Sequence, residues 1–278
     1  MIVHQLRNAT MVLHYATHRW LVDPMLGAAR SLPPFRMKGA RRRNPLVELP
    51  SNASEALASV TGLLVTHEHP DHFDSAAVRF AKERSLPVWT NRVDAGHIRG
   101  RGLDARSIEE LPLPFSVEVV RSKHGRGAVG WLMGPVCGYV IAHPDEPTVF
   151  LTGDSILTEP VLEAVERHRP DVIVAPAGAA NFGFGGDILF SLDELVTLAR
   201  RFDGTLVCNH LEALDHCPTT RAALRERFAR EGLIDRVRIP EDGERVSFDR
   251  PASSSRRVEP RPDTATPGMQ KWMTALFA

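Results

Sequence analysis

Between Thr66 and His72 the chain reads Thr-His-Glu-His-Pro-Asp-His, so that His67, His69, Asp71 and His72 fall within six residues. Imidazole nitrogen and carboxylate oxygen suit zinc, manganese or iron, and four such donors at one corner can serve two adjacent ions. The chemistry this offers is hydrolysis. A pair of divalent ions lowers the pKa of a shared water to about neutrality and polarises the carbonyl or phosphoryl oxygen under attack. The bland alternative, a solvated polar turn, sits poorly with the particular spacing H-x-H-x-D-H.

The apolar run Leu63-Leu64-Val65 precedes the motif and reads as a buried strand ending at a turn. Pro70 fixes its own φ and lacks an N–H, which suits a helix start. A helix is therefore expected from Asp71 to about Arg84, with Phe73, Ala76, Ala77 and Phe80 on one face. A two-ion site needs further donors, and three follow other strand-like runs. His124 stands beyond Ser116 to Arg121 and before a Gly-rich loop, Gly125-Arg126-Gly127; Asp154 stands beyond Thr148 to Leu151, after Gly153; His210 stands beyond Thr205 to Cys208. The C-terminal ends of strands are where the loops of such sheets gather. Any one of the three would more often be structural, but beside the turn they read as ligands.

The supporting elements start with short strands at 2 to 6, 11 to 15 and 20 to 22, an antiparallel opening. Residues 25 to 52 are irregular and rich in Pro and Arg. From Pro87 onward strands and helices alternate, with helices near 93 to 101, 158 to 169, 191 to 202 and 218 to 230. Strands in bunches, then strands interleaved with helices, point to two sheets packed face to face with helices outside. This is an α/β (α+β) four-layer αββα sandwich rather than a doubly wound parallel sheet. Residues 251 to 268 are rich in Pro, Ser, Arg and Thr and carry no structural signal. Met269 to Ala278 places Trp272, Met273, Leu276 and Phe277 at helix-like intervals, either to dock on the body or a partner subunit or as a frayed tail.

Lysine plus arginine equals aspartate plus glutamate at 34 each, which gives no support to non-specific nucleic-acid binding. Cys137, Cys208 and Cys217 are too few and too irregularly spaced for a disulfide framework and argue for a reducing compartment. The opening residues lack the pattern of a secretory signal, and no apolar run approaches a bilayer span, so a soluble cytoplasmic protein without a membrane partner is expected.

In the order His67-x-His69-x-Asp71-His72, His124, Asp154, His210, the chain resembles the metallo-β-lactamase superfamily, whose fold is an αββα sandwich. The resemblance covers about residues 1 to 248, so residues 1–250 are expected to form the hydrolase domain, followed by a linker and amphipathic segment at 251–278. Asp23-Pro24, Gly134-Pro135-Val136-Cys137-Gly138-Tyr139 and His210-Leu211-Glu212-Ala213-Leu214-x-His216-Cys217 are similar to the branch containing the ascorbate-6-phosphate lactonase. The resemblance implies that His67, His69 and His124 hold one ion and that Asp71, His72 and His210 hold the second, with Asp154 bridging. Asp154 replaces the Cys ligand of some secreted β-lactamases, so antibiotic hydrolysis is not expected. Glu68 falls on a spacer position, unlike the H-x-E-x-D turn of diiron flavoproteins.

The resulting expectation is a dinuclear metal-dependent hydrolase of a small ester or lactone, phosphorylated or not, in which a hydroxide bridging two ions attacks and Asp71 orients it. Zinc is the first expectation for the two divalent ions, with manganese or iron next. His216 is the acid for the leaving group, a substrate contact, or a hydrogen-bonding histidine that fixes the site. Alternatives are a phosphodiesterase or nuclease of the same fold, and a metal-binding protein without turnover. The partner expected is a small molecule, with neither nucleic acid nor membrane, and with a homo-oligomer open. No substrate-binding residue is assigned. Lys38 to Arg43 reads first as a solvated basic loop and otherwise as an anion contact. Phe182, Phe184, Trp131 and Met133 read as packing or as pocket wall.

Overall fold

Alternate side chains of the first three strands part into two sets, and that division generates the layers. The computed structural model describes residues 1–250; the segment at 251–278 lies outside the described residues. Strands β1 (Ile2–Arg7), β2 (Thr10–Tyr15) and β3 (His18–Val22) form an antiparallel meander. Met11, Leu13, Trp20 and Val22 face one way, into the space between two sheets, while Val12 and Leu21 face helices on the other side. The same sheet continues in parallel through α1 (Ala53–Ala58), β4 (Gly62–Leu64), α2 (Ser75–Glu83), β5 (Val88–Thr90), α3 (Arg92–Gly100) and β6 (Ala105–Ser107).

The second sheet repeats the scheme. Its antiparallel part is β7 (Ser116–Lys123), then α4 (Gly127–Met133), β8 (Pro135–Ala142) and β9 (Val149–Leu151). Its parallel part is α5 (Glu159–His168), β10 (Val172–Pro176), α6 (Leu192–Arg200), β11 (Thr205–Asn209), α7 (Arg221–Arg230) and β12 (Val237–Arg238). β13 (Arg245–Ser247) returns to pair with β1 at the edge of the first sheet. Val172 and Val174 meet the first sheet, and Ile173 and Ala175 meet α5, α6 and α7. The order of layers is therefore helix, sheet, sheet, helix, as the sequence pattern implied. Among the described residues no helix is long and apolar enough to cross a membrane.

Two local expectations are corrected. The helix after the motif begins at Ser75, not Asp71, because the Asp74 carboxylate caps it by accepting from the Ala77 N–H at 2.7 Å. Residues 71 to 74 are thereby left as a turn. The Gly-rich loop beyond His124 is present but ends at Arg126, because the short helix α4 starts at Gly127, whose φ is +58°.

Candidate metal centre

Each donor-bearing loop follows the C-terminal end of a strand: β4 leads to His67, β7 to His124, β9 to Asp154 and β11 to His210. β8 runs antiparallel to both β7 and β9, so His124 and Asp154 emerge at the same edge of the second sheet. β9, β10 and β11 are parallel, which brings His210 to that edge too. Gly153 makes the approach of Asp154 feasible: its φ is +61°, and a Cβ there would lie 2.4 Å from the Cys137 carbonyl oxygen. His210 and Glu212 hold φ of +58° without being glycine, an unfavourable backbone fixed by its surroundings. Asn8, at the β1–β2 turn, is part of that restraint. Its carbonyl accepts from the His210 N–H at 2.9 Å, and its side-chain amide donates to the Asp71 carbonyl at 3.1 Å.

All seven residues picked from the sequence are buried and converge. His67, His69 and His124 form one group and Asp71, His72, Asp154 and His210 another, with the candidate donor atoms of each group within 4.8 Å of one another. Asp154 Oδ2 stands 3.1 Å from His72 Nε2, 3.4 Å from His124 Nε2, 3.6 Å from His210 Nε2 and 4.0 Å from His67 Nε2. Asp71 Oδ2 lies 3.3 Å from His210 Nε2. Two donors on one tetrahedral ion stand roughly 3.3 Å apart, given bonds of about 2.0–2.1 Å. Glu68 faces elsewhere, 3.4 Å from His97 Nδ1 and 3.3 Å from Arg101 Nη1, which agrees with its spacer position.

The hydrogen-bond inventory fits a metal. His67 Nε2, His72 Nε2, His210 Nε2 and Asp154 Oδ1 are buried without a hydrogen-bond partner, an arrangement that costs free energy unless a cation takes the lone pairs. The opposite ring nitrogens of His124 and His67 are hydrogen-bonded, whereas His72 Nδ1 has only a close contact with Asp23. His124 Nδ1 contacts the Ile188 carbonyl at 2.8 Å, and His67 Nδ1 contacts Thr66 Oγ1 at 3.0 Å. Asp23 anchors this outer layer, accepting from the Thr66 N–H at 2.7 Å and the Thr66 hydroxyl at 2.9 Å, with His72 Nδ1 3.0 Å from its Oδ2. Such contacts orient the His67 and His124 rings so that Nε2 offers its lone pair inward.

Electrostatics point the same way. Burial, reinforced by neighbouring imidazoles, holds His67 well below the usual histidine range and His69 at about 3. Burial would also depress His72 and His210, but Asp154 outweighs it, and His72 is pushed up to about 10 with His210 well above normal. Asp71 and Asp154 would be raised by burial, yet His72 and His210 keep both carboxyls below their ordinary range. Two ionised carboxylates held among buried rings call for positive charge, and a divalent ion competes with protons for those nitrogens.

A cleft opens onto this cluster, lined by Phe35, Met37, Leu132, Met133, Phe182 and Ile188 above His69, Asp71, His124 and Asp154. His216 is in its wall, with its ring stacked 6.0 Å from Phe182 and edge-on 5.4 Å from Phe35. Its Nδ1 is buried without a hydrogen-bond partner, and burial pushes its pKa down to about 4. His216 is thus a neutral imidazole near pH 7. It does not buttress a ligand ring through a recorded hydrogen bond. Two kinds of functional residue escaped the sequence reading. Asp23 stood out only as half of Asp23-Pro24 at a strand end, and Phe35, Met37, Leu132 and Ile188 carry no local signal.

The beta-lactamase superfamily domain model matches residues 18–210, a span from β3 to the last of the clustered histidines. The chain belongs to that superfamily. It is 32% identical to the isothiocyanate hydrolase from Delia radicum gut bacteria, whose crystal structure superposes with a TM-score of 0.82 over 90% of this chain and 100% of that one. It is 29% identical to the UPF0173 protein YddR of Bacillus subtilis (strain 168), over 89% of this chain and 100% of the relative. It also shares 29% identity with a UPF0173 metal-dependent hydrolase of Azorhizobium caulinodans, over 62% of this chain and 71% of that protein. With this donor set, the superfamily member described here is a metal-dependent hydrolase. The narrower likeness to the ascorbate-6-phosphate lactonase branch rests on the three secondary motifs alone.

Proposed function

We propose that this protein uses two divalent ions to hydrolyse small, uncharged, largely apolar electrophiles, and that isothiocyanates are the substrate class its site fits best. The observation that carries this reading is the wall of the cleft: six apolar side chains over the donor cluster, with no Lys or Arg among the described lining residues. A phosphorylated substrate would meet no cation there beyond the metal centre. An ester or lactone remains compatible, but a relative of matching length is named for isothiocyanate hydrolysis. The phosphodiesterase alternative is disfavoured by the same wall.

In this reading His67, His69 and His124 would hold one ion and Asp71, His72 and His210 the other, with Asp154 within reach of both. Bound there, the ions supply a water of near-neutral pKa and polarise the electrophile. Asp71, which lines the cleft, accepts a hydrogen bond from the attacking water and sets its direction. Phe35, Phe182 and Leu132 exclude bulk water and hold the organic group. For an isothiocyanate R–N=C=S, water oxygen bonds to the central carbon, the bond from that carbon to nitrogen breaks, and two protons pass to nitrogen, giving R–NH2 and carbonyl sulfide. His216 faces the cleft as a neutral imidazole and relays one of those protons to the nitrogen.

The test is turnover of benzyl isothiocyanate by metal-loaded protein, read as primary amine formed, beside a panel of lactones and aryl esters. Amine release that stops on chelation and returns with metal is expected. Metal-loaded protein that turns over none of these compounds refutes the reading.

A further inference from the structure

Three segments distant in sequence meet at the mouth of the cleft. The N–H groups of Met37 and Lys38 both donate to the Phe182 carbonyl at 3.1 Å, Gly183 packs on Lys38, and Gly185 packs on Val129 of α4. The rim they form carries Met37, Trp131, Leu132 and Phe184, which are 56%, 71%, 49% and 50% exposed. These are four of the seven large apolar side chains exposed on the described surface, gathered at one place. Scattered apolar residues need no explanation, but a contiguous ring that includes an exposed tryptophan does.

The segment that carries Met37 to the rim is strongly basic. From Met25 to Val47 the chain carries Arg30, Arg36, Lys38, Arg41, Arg42 and Arg43 without a single acidic residue. Among the described residues none of the six is recorded in an ion pair; Arg36 and Arg43 spend guanidinium N–H groups on the carbonyls of Lys38, Arg30 and Ser31. Two carboxylates touch this segment, and both are buried and spent on backbone: Asp215 accepts from the N–H groups of Phe35, Arg36 and Arg42, and Asp74 from that of Gly27. The nearby acids facing the rim are Glu194, paired with Arg126 at 2.6 Å, and Asp187, which faces the Asn181 amide.

An apolar ring beside a field of unneutralised cations is complementary to an anionic lipid surface. Tryptophan, phenylalanine and leucine enter the headgroup boundary while arginine and lysine reach phosphate. A second copy of the chain fits less well, because a two-fold contact here would set the cationic loops against each other. Nucleic acid would use the cations but leave the aliphatic part of the ring in water. We propose that this rim docks on an anionic phospholipid bilayer, with the mouth of the cleft turned toward it. The inference does not depend on which electrophile is cleaved.

The test is cosedimentation of the full-length protein with vesicles of phosphatidylcholine alone and of phosphatidylcholine with roughly one third phosphatidylglycerol. Wild type is compared with Trp131→Ser/Phe184→Ser and with Arg41→Glu/Arg42→Glu, whose altered side chains are exposed and outside the metal cluster. Binding to the anionic vesicles alone is expected. It should weaken by about fivefold for each positive charge removed and by at least about tenfold in the aromatic pair. Absence of binding to anionic vesicles overturns the proposal, as does undiminished binding by both variants. Light scattering that shows a dimer dissolved by Trp131→Ser/Phe184→Ser would assign the rim to self-association instead. Oligonucleotide binding lost in Arg41→Glu/Arg42→Glu, without vesicle binding, would assign it to nucleic acid.

Discussion

Asp23 is the residue by which the construction of the centre is best tested, because it does not line the cleft and yet stands behind histidines of both donor groups, His72 directly and His67 through Thr66. One oxygen accepts from the Thr66 N–H at 2.7 Å; the other accepts from the Thr66 hydroxyl at 2.9 Å and lies 3.0 Å from His72 Nδ1. The Thr66 hydroxyl, committed to Asp23, takes the Nδ1 proton of His67 at 3.0 Å. The His67 ring is thereby held in the tautomer that leaves Nε2 free, and the Asp23 carboxylate, in close contact with His72 Nδ1, favours the same tautomer there. In Asp23→Asn the shape survives, but the amide NH2 must face either the Thr66 N–H, where two donors meet, or the Thr66 hydroxyl and His72 Nδ1 together, where it reverses both contacts. If it faces His72, the ring proton moves to Nε2 and blocks coordination. Loss of such an outer contact costs about 10–100-fold in metal affinity, which is about 1.4–2.7 kcal/mol. Competition with a chromophoric chelator measures that directly, and circular dichroism checks that the variant is folded. Asp23→Ala should lose more, since it leaves the buried Thr66 N–H without its acceptor, at about 1–3 kcal/mol of stability. Wild-type metal affinity in both variants would refute the argument that Asp23 fixes these tautomers.

His67→Ala and Asp154→Ala should each abolish metal-dependent turnover, and elemental analysis should show less bound metal than the wild type holds; full activity without metal would contradict the proposed ligand roles. His216→Ala should lower kcat by about 100-fold or more while leaving metal content unchanged, the size expected for loss of a proton-transferring group. The pKa of His216 is depressed from 6.5 to about 4 in the folded chain, so the unfolded chain binds the proton more tightly and stability falls as pH drops from 6.5 toward 4. His216→Gln should flatten that acid limb by about 3 kcal/mol at most, seen as a smaller difference in urea midpoint between pH 7 and pH 4. Arg221 is buried with Glu212 at 2.6 Å, Asp242 at 2.5 Å and the Pro240 carbonyl at 2.8 Å. Arg221→Met removes the guanidinium from Asp242 and from the Pro240 carbonyl, while the partly exposed Glu212 keeps the residue-221 N–H, and should cost about 1–3 kcal/mol in denaturant unfolding.

The donor cluster was legible because its members fall in four short stretches, each announced by the strand before it. An apolar run followed at once by His67, His124, Asp154 or His210 carries both the element and the residue type, and no long-range information is needed to see it. The layers were legible for a related reason: period-two alternation at Met11 to Leu13 and at Val172 to Ala175 already separates an inner face from an outer one. The helix start failed where local propensity met a tertiary demand. Pro70 suits a helix, but Asp71 and His72 face the cluster, and Asp74, with its carboxylate also 2.7 Å from the Gly27 N–H, caps four residues later.

The cleft was illegible for a different physical reason, and it is the part on which specificity rests. Its wall is assembled from Phe35 and Met37 in an irregular loop, Leu132 and Met133 on a seven-residue helix, and Phe182 and Ile188 in a glycine-rich stretch. None of these segments has a period, so nothing in any one of them tells pocket lining from packing. Only the joining contacts do so, and these are backbone and glycine contacts, such as the Phe182 carbonyl that takes the N–H groups of Met37 and Lys38. Within the basic loop, Phe35 and Met37 line the cleft, whereas Arg36 and Lys38 do not. A stretch that reads as a solvated charge run thus contributes apolar side chains to the site, and that alternation argues against an anionic substrate in the cleft despite the six cations beside it.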